Sequence, residues 1–120
     1  MAENIIKDKS FSFALRVVKL YQFLNQEKRE YVISKQLLRS GTSVGALVRE
    51  SEQAESKLDF IYKLSIAQKE ANESDYWLEL LYQSEYLDET QFQSLKLVIV
   101  EINKILASII ITTKQKIGKK

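Results

Sequence analysis

Apolar residues recur at spacings of three and four along the chain, and short polar breaks divide them into four runs. Such spacing is typical of amphipathic helices, each of which buries one face. The runs predict helices at about residues 10–25, 30–54, 56–85 and 88–116. Because the connections are short, successive helices are expected to be antiparallel neighbours. The pattern predicts an all-α fold, an antiparallel up-and-down four-helix bundle that forms a single domain over residues 1–120.

Polar residues at three of the breaks are candidate helix caps. Ser10 is the candidate N-cap of the first helix. The third helix opens with Ser56 and carries Asp59 at its third position, and the fourth opens with Asp88 followed by Gln91. Side chains of these types accept hydrogen bonds from the free amides of a first turn. They therefore predict where the third and fourth helices begin.

The fourth helix is apolar on more than one face. Its heptad-like seam consists of Phe92, Leu95, Ile99, Ile102, Leu106 and Ile109. Further apolar residues lie outside the seam, among them Val98 and Ile105, whereas a helix in a bundle needs only one buried stripe. We expect Val98 and Ile105 to lie in an oligomer interface. The alternative is a wide stripe facing the core of a monomer, with a few exposed apolar side chains.

Gly41 and Gly45 lie one turn apart in a stretch of small residues in the second helix. Glycine inside a helix costs about 0.5–1 kcal/mol relative to alanine, so a structural or functional gain must offset it. One interpretation is that the glycines let another helix approach closely. The other is a binding groove or a nucleic-acid contact with exposed amides and hydroxyls.

Carboxylates on the third helix suggest an ion pair rather than a metal site. A di-iron bundle needs a Glu-x-x-His pair from each of two helices, and the chain has no histidine. We expect Arg39 to pair with Glu70 or Glu73, because a guanidinium can bind a carboxylate through two hydrogen bonds. Asp75 and Glu79 are expected to be solvated.

Composition excludes most familiar catalytic sites. The chain has no cysteine, histidine or proline, so thiol nucleophiles, Ser-His-Asp triads and the usual zinc ligands are missing. We predict no enzymatic activity and no cofactor. Residues 1–10 lack a secretory signal, and charged residues interrupt the most apolar stretch, residues 95–111. The sequence therefore predicts a cytoplasmic protein with no membrane contact.

Charge is distributed unevenly, although the net charge is only +2. Residues 1–50 carry a net +4, residues 51–90 carry 3 basic and 10 acidic side chains for a net −7, and residues 91–120 carry +5. The basic segments could contact phosphates or pair edge to edge with the acidic segment of another subunit. The candidate nucleic-acid contacts are Lys114, Lys116, Lys119 and Lys120. The alternative is a solubilising tail. Trp77 is expected in the core or an interface, where its N–H finds a partner.

Two blocks of sequence resemble a known bacterial family. The blocks run from Leu37 to Ala46 and from Lys69 to Leu78, with Glu50 and the pair Asp59-Phe60 between them. They are similar to the four helix bundle, or 23S rRNA-intervening sequence, proteins over about residues 5–115. The residues that match by motif are Arg39, Ser40, Ser43, Gly45, Glu50, Glu70, Glu73 and Trp77.

The resemblance implies an antiparallel four-helix bundle that assembles into a ring, typically a homopentamer, with no established enzymatic activity. It also implies a relation to the accessory protein of diversity-generating retroelements, which binds a reverse transcriptase and RNA through a basic pentameric barrel. We therefore expect a non-enzymatic, ring-forming helical scaffold associated with RNA or DNA. The alternative is a protein–protein interaction adaptor that binds no nucleic acid.

Overall fold

The computed structural model describes residues 2–118 and folds them into four α-helices. These are α1 (Ala2–Gln26), α2 (Ile33–Ser51), α3 (Lys57–Gln83) and α4 (Glu89–Gly118). Helices account for 86% of the described residues, which include no β-strand. The predicted all-α four-helix bundle is confirmed.

Each helix packs against the next, and α4 returns to pack against α1. The bundle measures 55 × 22 × 20 Å, so its long axis follows the helices. All six seam positions of α4 are buried, as their spacing predicts. They meet buried apolar residues of the other three helices, which gives the described chain a core that all four helices share. None of the helices within residues 2–118 is long and apolar enough to span a bilayer.

The caps predicted for α3 and α4 are confirmed. Ser56 Oγ accepts a hydrogen bond from the amide of Asp59 at 3.0 Å. At the start of α4, Asp88 Oδ1 accepts from the amide of Gln91 at 2.7 Å, and Gln91 Oε1 accepts from the amide of Asp88 at 3.0 Å. This reciprocal pair satisfies two otherwise free backbone donors. Local sequence therefore determines both starts.

The predicted start of α1 is wrong. The helix begins at Ala2, and Ser10 lies in its third turn with only 1% of its surface exposed. Its hydroxyl donates back to the carbonyl of Lys7 at 3.2 Å rather than capping a first turn. Ser10 is a small residue at a helix crossing, a role that its local sequence does not distinguish from a cap.

The predicted start of α2, at residue 30, is also wrong, because Glu30 precedes the helix and caps it from outside. Glu30 is 7% exposed, and its carboxylate accepts hydrogen bonds from the amides of Val32, Ile33 and Ser34 at 2.6–3.0 Å. Arg29 adopts a left-handed backbone, with φ of 53°, and so turns the chain at this point. Burial opposes ionisation of Glu30, but the three amides outweigh it and hold the pKa of the carboxyl below its usual range.

Candidate functional site

Helices α1 and α2 pack closely where α2 carries its two glycines. A Cβ atom at Gly41 would lie 2.9 Å from Cγ2 of Val17, closer than real Cβ contacts allow. A Cβ atom at Gly45 would lie 3.3 Å from the backbone oxygen of Ser10. Both glycines therefore allow close packing against α1. Gly41 is buried, whereas half-buried Gly45 also lines a shallow surface groove with Phe11 and Thr42.

A buried pair of hydroxyls joins α2 to α3. Ser40 and Ser74 are both fully buried, and their Oγ atoms lie 2.9 Å apart. Ser74 Oγ also lies 2.9 Å from the carbonyl oxygen of Glu70, one turn earlier in the same helix. Two small polar side chains that bond each other can be buried without leaving a donor unsatisfied. Sequence reasoning named Ser40 but missed its partner, because the contact joins residues 34 positions apart.

The structure brings Arg39, Glu70 and Glu73 together on the surface beside this pair. The Arg39 guanidinium donates to Glu70 Oε1 at 3.4 Å and to Glu73 Oε2. Glu73 Oε2 also accepts from the indole Nε1–H of Trp77 at 3.0 Å. The Trp77 hydrogen bond, followed by the Arg39 guanidinium, lowers the pKa of the Glu73 carboxyl. This network ties α2 to α3 and holds Trp77 half-buried against the core.

Two further predicted motif residues of α2 have structural contacts. Glu50 forms an ion pair with Lys63 of α3, at 3.6 Å. The Ser43 hydroxyl donates to the carbonyl of Arg39 at 2.6 Å, one turn earlier in α2. Neither side chain points toward a cluster of reactive groups, and within residues 2–118 no three potential metal ligands gather.

The expectation that Asp75 is solvated is wrong. Both of its carboxylate oxygens accept hydrogen bonds from Lys96 Nζ of α4, at 2.7 and 2.9 Å. Glu79, by contrast, is exposed as expected. Asn103 of α4 donates to Asn72 of α3 at 3.1 Å, so polar side chains join these two helices at more than one level.

The predicted interface residues lie in the groove between α1 and α4. Val98 and Ile105 are half-buried and pack against the core of their own chain. Val98 lines a surface hollow with Phe13 of α1, and Ile105 lines another with Ile5. Part of their apolar surface is therefore already used within the bundle.

The candidate nucleic-acid contacts lie at the end of α4. Lys114 and Lys116 are exposed in its last turns. Lys119 and Lys120 lie outside the described residues. No carboxylate of the described residues pairs with Lys114 or Lys116, so both ammonium groups are accessible to a phosphate.

A four-helix bundle alone does not reveal a family, but the sequence does. The sequence model of a family described as "23S rRNA-intervening sequence protein" matches residues 2–108 of the chain. The chain belongs to the 23S rRNA-intervening sequence protein family. The resemblance noted in the sequence is thereby confirmed for the family. Most residues that carry it lie along the contact between α2 and α3 described above.

A solved member of this kind has the same architecture. It is a crystal structure of a protein with unknown function from the S23 ribosomal protein family of Bacteroides thetaiotaomicron VPI-5482. Its sequence is 58% identical, and the superposition gives a TM-score of 0.91 over 92% of this chain and 98% of the other. No curated protein matches this 23S rRNA-intervening sequence family chain.

Proposed function

We propose that the chain is a non-enzymatic, ring-forming helical scaffold that acts as an accessory protein to RNA or DNA. The observation that carries the proposal is its exposed apolar surface. Ten large apolar side chains of the described residues are exposed, on α1, α3, α4 and the α1–α2 connection: Ile5, Phe11, Leu15, Tyr31, Val32, Leu58, Tyr62, Tyr76, Leu97 and Ile111. Apolar surface spread this widely favours contacts with other chains.

We place the protein in the cytoplasm. There, other copies of the same chain can cover this apolar surface. A ring of five copies is what the family resemblance implies, and rings form when each subunit uses two different faces. Val98 and Ile105 are the interface positions that the sequence proposes. The missing histidine and cysteine, together with carboxylates engaged in ion pairs, favour a structural over a catalytic role.

The family description, which names an intervening sequence of 23S rRNA, favours RNA as the nucleic acid. Replacing Lys114 and Lys116 together by glutamate is expected to weaken binding to a single-stranded RNA oligonucleotide. Each lysine that neutralises a phosphate releases counterions, so the slope of log K against log salt is expected to fall by about 1.4 for two contacts. Filter binding at several salt concentrations measures the slope.

Lys69→Glu with Lys57→Glu is the matched control, because these two exposed lysines lie on α3 within the acidic segment. The control variant is expected to keep the salt slope of the wild type. An unchanged slope in the Lys114/Lys116 variant would reject these lysines as phosphate contacts. Absence of any salt-dependent RNA or DNA binding by the wild type would reject the nucleic-acid role.

The second candidate is a protein–protein interaction adaptor that binds no nucleic acid. The net −7 of residues 51–90 favours it, because an acidic surface repels phosphates. The relation to the accessory protein of diversity-generating retroelements stays a prediction. Filter binding separates the two candidates, since only the first requires affinity for nucleic acid.

A further inference from the structure

A hollow opens at the end of the bundle where the α1–α2 and α3–α4 connections lie side by side. Its volume is about 660 Å³, which is within the range of small-molecule sites in proteins. We call it the end hollow. Both connections and the adjoining helix ends line it, with residues that include Phe23, Lys28, Tyr82, Glu85, Tyr86 and Glu89. It shares no residue with the contact between α2 and α3 that carries the family motif.

The floor of the end hollow is aromatic and belongs to the folded core. Phe23, Tyr82 and Tyr86 are half-buried, and each packs against the buried residues of the bundle. Tyr82 also stacks on the buried ring of Phe92, with the ring centres 4.4 Å apart and the ring planes at 3°. Aromatic rings attract cations, and packing against the core holds these rings in place before any ligand binds.

Carboxylates outnumber cations in the lining of the end hollow. Three carboxylates line it, from Glu85, Asp88 and Glu89, together with the single ammonium group of Lys28. Asp88 Oδ1 caps α4, but the carboxylates of Glu85 and Glu89 form no hydrogen bond or ion pair with the described residues. The end hollow therefore offers free anionic acceptors beside an aromatic floor.

Glu85 occupies a backbone position where glycine is usual. α3 ends in a Schellman motif, in which the amide of Tyr86 donates to the carbonyl of Leu81 at 2.8 Å and the amide of Glu85 donates to that of Tyr82 at 3.0 Å. Glu85 has a φ of 68°, a left-handed conformation that is unfavourable for a residue with a Cβ atom. No hydrogen bond or ion pair of its side chain with the described residues compensates for this strain. Strain of this kind is common where a side chain serves a ligand.

We propose that the end hollow binds a small organic cation with a guanidinium or primary ammonium group. The carboxylates of Glu85 and Glu89 accept hydrogen bonds from its nitrogen atoms, and its carbon chain lies against the aromatic floor. Lys28 opposes the bound charge and so limits the affinity. The residues of the end hollow are separate from those proposed for assembly and for nucleic-acid contact, so the site stands independently of the proposed scaffold.

Isothermal titration calorimetry with agmatine, which carries a guanidinium and an ammonium group, tests the site. Glu85→Gln and Glu89→Gln are each expected to weaken binding about 10-fold, because each removes one charged acceptor. Lys28→Gln is expected to tighten binding about 3-fold, because it removes a like charge. Glu55→Gln is the matched control, since Glu55 is an exposed carboxylate in the α2–α3 connection at the opposite end of the bundle. Butylurea, which keeps a carbon chain but carries no charge, is expected not to bind.

Glu85→Gly separates ligand binding from folding. Glycine adopts the left-handed conformation without strain, so this variant is expected to melt about 3 °C higher than the wild type. It is also expected to bind agmatine about 10-fold more weakly, because the carboxylate is absent. Weaker binding by a more stable protein cannot result from unfolding. Thermal denaturation followed by circular dichroism measures the melting temperature.

Three results would overturn the inference. The first is no saturable binding of agmatine to the wild type at concentrations up to about 10 mM. The second is equal affinity for agmatine and butylurea, which would show that the ligand's charge is not recognised. The third is unchanged affinity in both Glu85→Gln and Glu89→Gln, which would place the bound cation elsewhere on the chain. None of these results would alter the mass of the assembly or its affinity for RNA, so the proposed scaffold is tested separately.

Discussion

Replacing Gly41 by leucine is expected to lower the free energy of unfolding by about 2–3 kcal/mol. The new side chain would meet Val17, whose Cγ atoms lie 2.9 and 3.0 Å from the position of the added Cβ. Val17 is fully buried and stiff at χ1, so α1 and α2 must separate. Overpacking of this kind costs more than the roughly 1 kcal/mol that leucine gains in helix propensity. Urea denaturation of the folded protein measures the difference.

The chain offers a matched control at Gly118, also helical, where no atom lies within 4 Å of an added Cβ. Gly118→Leu is expected to change stability by less than about 0.5 kcal/mol. In the double variant Gly41→Ala with Val17→Ala, α1 and α2 are expected to keep their close packing, because the two Val17 methyl groups that would obstruct the added Cβ are absent. Equal stability of Gly41→Leu and wild type would show that the glycine does not set the helix separation.

Replacing Glu30 by alanine is expected to cost about 2 kcal/mol at neutral pH. Three backbone amides at the start of α2 would lose a charged acceptor that is almost fully buried. Thermal or urea denaturation measures the loss. Glu27→Ala is the control, because Glu27 lies one turn before on the exposed side of the same connection, and its change is expected to stay below about 0.5 kcal/mol.

The Glu30 contribution is also expected to depend on pH. The pKa of this carboxyl is lower in the folded chain than the usual value for a glutamate, because three backbone amides donate to it, so the folded state favours the ionised form. The stabilisation is therefore complete above the unfolded pKa and is lost as pH falls through the folded pKa. The stability difference between wild type and Glu30→Ala should shrink below about pH 4.5. A difference that stays constant down to pH 2 would contradict ionic capping.

Elements set by nearby residues were predictable from the sequence. The starts of α3 and α4 follow from side chains that cap amides three residues away. The buried seam of α4 follows from its apolar spacing. The starts of α1 and α2 were not predictable in this way. The role of Ser10 inside α1 depends on its contact with α2, which lies far away in the sequence. Glu30 caps α2 from outside the helix, after a left-handed turn at Arg29.

The candidate site shows the same division. The pairing of Arg39 with Glu70 and Glu73 could be foreseen, because few basic side chains interrupt the small-residue stretch of α2 and a guanidinium suits carboxylates. The partners of Ser40 and Asp75 could not, since contacts with Ser74 and Lys96 depend on the register of packed helices. The exposure of apolar residues outside the α4 seam could not be predicted either, because the spacing of apolar residues does not distinguish half-buried Val98 from exposed Leu97.

The mass of the wild-type assembly tests the scaffold account most directly. Light scattering coupled to size-exclusion chromatography, over a wide range of concentrations, measures this mass without any substitution. The account predicts a closed species whose mass is a whole multiple of the 14.0 kDa chain, fivefold for a pentamer, and which does not grow as concentration rises. A mass of 14.0 kDa throughout the range would contradict it.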